Sequence, residues 1–365
     1  MSGKPKITRS RKNTDCSTSR RCFVFRSKRG GETTLTCRVC TQEFVVPSNT
    51  TIYRCNNCRD VTMEVLNTNG LSLRKLLSSS TASSSPPSNK RAVLCGVTYG
   101  KRKFKLEGTV NDVNNIKRLL LDKFQFPIQC IRVLTEEKDP SLIPTKRNIE
   151  ESLKWLVRDC QSGDSLVFYF SGHGLQQPEF DRGDEIDGLD ETICPLDFIT
   201  EGMITDNEIN SMIVQPLQNG VRLHAILDTC HSGTTLDLMY AYKREKGSWK
   251  WEGNKLSKAI TDQTSGGVAI CLSACEDSQV AADTAGFDRN GMNGIMTYLF
   301  SKIIREHSQI TYGCLLQKLH EEIGNIRQSK FSNGILKRIF NRKIEQDPLL
   351  SSSKKFDVST TIFKL

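Results

Sequence analysis

From residue 90 onward, short apolar runs alternate with longer stretches whose apolar positions recur at helical spacing. The runs are RAVLCGVTY, IQCIRVLTE, DSLVFYFSGHG, VRLHAILDTC and GVAICLSAC. They are apolar at mostly consecutive positions, the pattern of strands buried on both faces. Between the first two, TVNDVNNIKRLLLDKF puts Val110, Val113, Ile116, Leu120 and Phe124 on one helical face. PTKRNIEESLKWLVRDC does the same with Ile149, Leu153, Leu156 and Val157. DNEINSMIVQPL predicts a shorter helix, and NGIMTYLFSKIIREH and YGCLLQKLHEEIGNI predict two late ones. Strands alternating with helices predict an α/β domain built on a mostly parallel sheet sandwiched by helices. No internal repeat is visible.

The first quarter of the chain reads differently. Residues 1–34 are polar and basic, a flexible arm. Residues 63–90 include LSSSTASSSPPSNK, a Ser/Pro-rich linker that cannot bury enough to fold. The charge divides at this linker: residues 1–90 carry 16 Lys and Arg against 5 Asp and Glu, so the whole net charge of +10 sits there. Such an arm suits an acidic partner, an anionic surface or plain solvation. Nucleic acid is the weakest of its readings, because no aromatic interleaving or recognition-helix pattern accompanies the charge. No apolar segment follows the start and no run is long enough to span a membrane, so the expectation is a soluble intracellular protein of the cytoplasm or nucleus.

Cysteine spacing adds a metal site. Of 14 cysteines, six fall in the first 58 residues, and four of these form Cys37-x-x-Cys40 and Cys55-x-x-Cys58. Two such knuckles supply four thiolates for tetrahedral Zn²⁺, and a segment as short as 35–62 needs the metal to fold. Cys16 and Cys22 do not match this spacing. The other eight cysteines are scattered, several inside apolar runs, as reduced core residues are.

Two strands end on reactive groups. DSLVFYFSGHG ends with His173 between Gly172 and Gly174, and VRLHAILDTC ends on Cys230. Function gathers at the carboxyl ends of strands in open α/β sheets. On neighbouring strands the imidazole can take the thiol proton and later protonate a leaving amine. The backbone N–H groups of Gly174 and Cys230 would form an oxyanion hole. Asp228, two residues before Cys230, shares its side of the strand and would attract a substrate cation. Either residue alone is as well read as core or turn; the pair at two strand ends carries the reading. His231 points away from its neighbour, and His224, inside the strand, reads as packing.

YFSGHG and DTCHSG, with DGLDETICPLD between them, resemble type I metacaspases, caspase-fold cysteine peptidases of plants, fungi and protists. The resemblance covers residues 91–365 and implies a p20-like part (91–240), a basic linker (241–262) and a p10-like part (263–365). It implies cleavage after Arg or Lys, a zymogen, a role in regulating programmed cell death or stress responses, and a monomer. It also implies that Asp112 and Ser171 line the specificity pocket with Asp228. The acid-dense EFDRGDEIDGLDET suits Ca²⁺ by its hard oxygens. The resemblance names Asp190, Asp206 and Asp237 as calcium ligands. The family often has two adjacent acids where this chain has Thr205–Asp206, which implies a weakened site. The basic linker would lie in a loop open to self-cleavage at Lys243, Arg244 or Lys246. CRVCTQEFVVPSNTTIYRCNNC resembles a small plant zinc finger named for a cell-death regulator of lesion formation, a protein-interaction module. The competing reading is a zinc-finger adaptor whose caspase-like domain is a scaffold.

Overall fold

The computed structural model describes residues 32–36, 43–47, 52–54, 61–63 and 89–365, except 101, 137–138, 180–187, 230–232, 234, 246–247, 255–262, 275–282, 285–292 and 329–346. The chain divides into two compact units, Met1–Ser83 and Ser84–Leu365, with the division inside the predicted linker.

The first unit holds two antiparallel pairs. β1 (Glu32–Thr36) pairs with β2 (Glu43–Pro47), and β3 (Ile52–Arg54) pairs with β4 (Val61–Met63). By residue number, Cys37 and Cys40 fall between the strands of the first pair, and Cys55 and Cys58 between those of the second. The four cysteines themselves lie outside the described residues.

In the second unit each of the five predicted apolar runs is a strand: β5 (Lys90–Gly96), β6 (Ile131–Leu134), β7 (Ser165–Ser171), then, after β8 (Gly174–Pro178), β9 (Leu189–Ile193) and β10 (Ile204–Thr205), β11 (Arg222–Asp228). After β12 (Tyr240–Glu245) and β13 (Ser248–Gly253) comes the fifth, β14 (Val268–Ser273). Two short strands, β15 (Asp283–Thr284) and β16 (Asn293–Gly294), pair with each other, and β17 (Leu349–Ser352) is the last. The helices are α1 (Thr109–Asp122), α2 (Lys146–Val157), α3 (Phe198–Glu201), α4 (Asp206–Ile209), α5 (Ile295–Glu306) and α6 (Tyr312–Gln328). Among the described residues the main sheet has eight strands in the order β13-β12-β17-β14-β11-β7-β5-β6. The five predicted strands are its parallel core; β17, β12 and β13 add antiparallel pairings at one side.

Strand alternation divides the core in two. Ala92, Leu94, Tyr169 and Ile226 pack with side chains of α1, α5 and α6. Their neighbours Val93, Cys95, Phe168, Phe170 and Leu227 pack with α2 and α4. Even-numbered residues of β11 therefore face α5 and α6, so Asp228 is on the side of Ile226. The close seat of α1 needs Gly96: a Cβ there would lie 2.8 Å from Val113 and 2.9 Å from the Thr109 carbonyl oxygen.

The predicted basic linker is not an open loop over its first half. YAYKRE and SWKWEG form the β12–β13 hairpin, with Tyr242 opposite Trp251 and Arg244 opposite Trp249. The reason is a period-2 pattern that the charge concealed. Tyr242 stacks on Trp249 with centroids 5.6 Å apart and meets Trp251 at 5.1 Å. The charged partners Lys243 and Lys250 pair at the intervening position. Lys243 and Arg244 are thus held in a ladder, which a peptidase cleft must first undo, and this corrects their reading as exposed loop sites. Lys246, at the hairpin's turn, lies outside the described residues.

His224 packs inside the fold, as expected. Its Nε2 meets the Tyr312 hydroxyl at 2.6 Å. Burial, and then the charge of Arg222, pulls its pKa from 6.5 down to about 3. The folded chain refuses a proton that the unfolded chain accepts below its ordinary pKa. Stability from this site is complete above the unfolded value and drains as pH falls toward the folded one, approaching about 1.4 kcal/mol per pH unit. His224→Gln is expected to show a shallower loss of stability than the parent between about pH 6.5 and 5, read from urea midpoints.

Candidate active site

The register of two central strands builds the site. β7 and β11 lie side by side and parallel, with Ser171 paired to Asp228. In sequence, His173 and Cys230 each stand two residues beyond that pair. Cys230 itself lies outside the described residues. Thr229, just before it, is buried.

His173 sits between β7 and β8 and is held on three sides. Its backbone N–H donates to the Tyr99 hydroxyl at 3.0 Å, and its backbone carbonyl accepts from the Cys194 N–H at 3.0 Å. Its ring lies 4.7 Å from the Tyr99 ring and 5.7 Å from Phe104. Nε2 is 2.6 Å from the Phe104 carbonyl oxygen. A carbonyl only accepts, so this contact places the proton of the neutral ring on Nε2 and leaves the lone pair on Nδ1. Gly172 has no room for a side chain: a Cβ would stand 2.8 Å from the Phe170 ring and 3.1 Å from the Tyr99 hydroxyl.

The segment carrying Tyr99 and Phe104 is fixed by one acid. The Glu136 carboxylate accepts from the N–H groups of Thr98, Tyr99 and Gly100 at 2.7, 2.6 and 3.2 Å, and from the Thr98 hydroxyl at 2.6 Å. Tyr99 has φ of 52°, a left-handed backbone that a non-glycine residue adopts only when its surroundings hold it. Neither Phe104 nor Glu136 is marked by any local motif; their roles depend on a backbone carbonyl and a loop path.

The expected pocket residues converge. Asp112, Ser171 and Asp228 are all buried, at 0%, 3% and 6% exposure. The Ser171 hydroxyl donates to Asp112 Oδ2 at 3.2 Å. Asp112 also stands in the first turn of α1, where an acid is favoured, so the pocket role and the helix-start role coincide. Tyr169 lies between the two acids. Burial first, then the charges of Asp112 and Asp228, hold its pKa far above the ordinary phenol value, so it stays protonated.

A second acidic region lies among β9, α4 and the segment after β11. Asp190, Glu191, Asp206 and Asp237 are all buried. Burial, then the charge of Asp237, and then Glu191 and Asp190, push the Asp206 pKa up to about 8. Asn207 donates its amide N–H₂ to Asp190 Oδ1 at 3.2 Å, and its buried amide oxygen has no hydrogen-bond partner. Among the described residues no three His, Cys, Asp or Glu side chains converge closely enough to hold a metal ion. Thr205, which stands where the family often has a second acid, has a local role. It caps α4, accepting from the Glu208 N–H at 3.1 Å and donating its own N–H to the Glu208 carboxylate at 2.9 Å. The neighbour of Asp206 that reaches the acids is Asn207.

The chain is 41% identical over 293 residues to Metacaspase-1 of Arabidopsis thaliana, which covers 77% of this chain and 80% of that protein. The chain belongs to the metacaspase family. The model for the metacaspase peptidase C14 domain matches residues 90–239. Metacaspase-3 of Arabidopsis thaliana is 44% identical over 77% of this chain and 77% of its own length. Metacaspase-1 of Saccharomyces cerevisiae is 33% identical over 74% of this chain and 68% of its own. A metacaspase fold is a caspase-like α/β sheet, as found here, and the family is one of cysteine peptidases. No helix among the described residues is long and apolar enough to cross a membrane.

The seat of His173 is testable. Tyr99→Phe removes the acceptor of the His173 N–H and the donor to the Cys194 carbonyl, 2.6 Å away. It is expected to cost about 1–3 kcal/mol in urea unfolding, the range for buried groups left unpaired.

Proposed function

We propose that this metacaspase is a calcium-activated endopeptidase that cuts proteins after Arg or Lys, with Cys230 as nucleophile and His173 as base. The observation that supports the reading is the β7–β11 register, which pairs Ser171 with Asp228, two residues before His173 and Cys230 in sequence, with Asp112 bonded to Ser171. The Phe104 carbonyl holds the Nε2 proton of His173, so Nδ1 takes the thiol proton. The thiolate attacks the scissile carbonyl, and the N–H groups of Gly174 and Cys230 bind the oxyanion. His173 then protonates the departing amine, and water attacks the resulting thioester. Two carboxylates in the pocket favour a guanidinium or ammonium and reject an acidic side chain. Regulation of programmed cell death or stress responses is the biological setting the family suggests.

Calcium fits the donor chemistry of the second acidic region. Asp190, Asp206 and Asp237, with the unpartnered Asn207 amide oxygen, are the donors available to the ion, and the three acids would have to draw closer together than they stand here to hold it. When bound, it supplies the positive charge that four crowded carboxylates call for. Asp237 follows the Cys230 segment in sequence, so ligation there ties that segment to β9 and α4. In the first unit, Cys37, Cys40, Cys55 and Cys58 would hold a structural Zn²⁺, with the finger engaging protein partners. A monomer acting in the cytoplasm or nucleus completes the proposal.

Peptides ending in Arg, Lys and Asp, assayed with and without millimolar Ca²⁺, test the reading. Release is expected after Arg and Lys only, and Cys230→Ala is expected to abolish it. Asp228→Ala should lower kcat/KM for the Arg peptide by at least about 30-fold, the effect of stranding a buried charge partner. Full activity of Cys230→Ala would falsify the mechanism. Separately, Ca²⁺ is expected to raise the melting temperature of the parent but not of Asp206→Asn, measured by scanning calorimetry.

A further inference from the structure

Both pocket acids are held by the N-terminal turn of one helix, α5. The Gly294 N–H lies 3.0 Å from each oxygen of Asp112. One turn further on, Thr297 donates its N–H to Asp228 Oδ2 at 3.0 Å and its hydroxyl to the same oxygen at 2.5 Å. Thr297 is itself fully buried, and its hydroxyl is 2.7 Å from that of Tyr169. A threonine hydroxyl has one hydrogen, and here it goes to Asp228. Tyr169 must therefore be the donor of the second bond. The result is a directed chain from Tyr169 to Thr297 to Asp228.

We propose that Thr297 is a positioning residue for substrate specificity: its hydroxyl, oriented by Tyr169, fixes the Asp228 carboxylate in the attitude that accepts an arginine side chain. The inference rests on the reading of the cleft as specific for Arg and Lys. A guanidinium is planar and binds a carboxylate through two parallel bonds, so the carboxylate's plane matters to it. An ammonium is a point charge with rotatable donors and tolerates a turned partner. Loss of the Thr297 hydroxyl therefore penalises arginine more than lysine. The two acids are also both buried and stand close together beside Gly294. The aligned N–H groups and positive end of a 12-residue helix offset their repulsion. Gly294 is part of the same device. A Cβ on it would stand 2.2 Å from Asp228 Oδ2 and 3.2 Å from Asp112 Oδ2, so only glycine lets the helix end meet both carboxylates.

Thr297→Val keeps the shape and the backbone N–H and removes only the hydroxyl. In the full-length protein with Ca²⁺, KM for a peptide ending in Arg is expected to rise about tenfold, the worth of one hydrogen bond to a charged group. Little change in kcat and a smaller rise for the Lys peptide should accompany it. Thr297→Ser should restore the parental values, which a packing role for the lost methyl would not. Tyr169→Phe leaves the hydroxyl without its orienting donor and should give a weaker shift of the Arg-to-Lys ratio in the same direction. It carries the test if Thr297→Val fails to fold. A well-folded Thr297→Val with the parental KM and Arg-to-Lys ratio overturns the proposal. A parent protein that cuts after neither Arg nor Lys overturns the underlying reading as well, so the two failures differ in which protein shows them.

Discussion

The pairing of β7 with β11 is the constraint on which the rest of the molecule depends. Both strands are buried on both faces, so their register is set by packing against two helical layers. A slip of one residue would turn Asp228 away from α5 and toward α2, and would separate Ser171 from its partner. The same register that satisfies the core therefore decides which polar groups meet at the strand ends. The geometry of the candidate site is a by-product of close packing, and a substitution that loosens the sheet far from it would be felt there.

Three groups of carboxylates, one partly buried and two buried, are managed by three different means. Glu136 is bound by four donors and fixes a loop. Asp112 and Asp228 are held by a helix end and two hydroxyls. Asp206 has one backbone donor on each oxygen but three acids nearby, and its pKa rises accordingly. The first two arrangements are complete within the protein. The third is crowded with like charge and reads as the place where a counter-ion acts.

Much of the fold was legible in the sequence because buried strands and amphipathic helices announce themselves by periodicity. The parallel core, α1, α2, α5 and α6 all fall where the apolar pattern puts them. The β12–β13 hairpin escaped because its Lys and Arg residues stand between the aromatic ones, and the charge run hid the alternation. Of the candidate site, His173 and Asp228 were named from motifs at strand ends, and Asp112 and Ser171 only from the family resemblance. Phe104, Glu136, Gly294 and Thr297 were not. Each acts through a backbone group, or on a partner more than 30 residues away, and neither leaves a spacing in the sequence. Thr205 was legible only as a missing acid; its part in the capping box of α4 was not read.

The sheet order has a consequence for what a break in the chain would do. Strand β11, from before the segment 255–262, is zipped to β14 from after it, and β12 is zipped to β17 in the same way. The acid of β11 also grips the helix that follows. Were that segment severed, the β11–β14 and β12–β17 pairings would still join the two pieces. The two halves are mutual scaffolds, and the peptide bond between them is the least of the ties that keep them together.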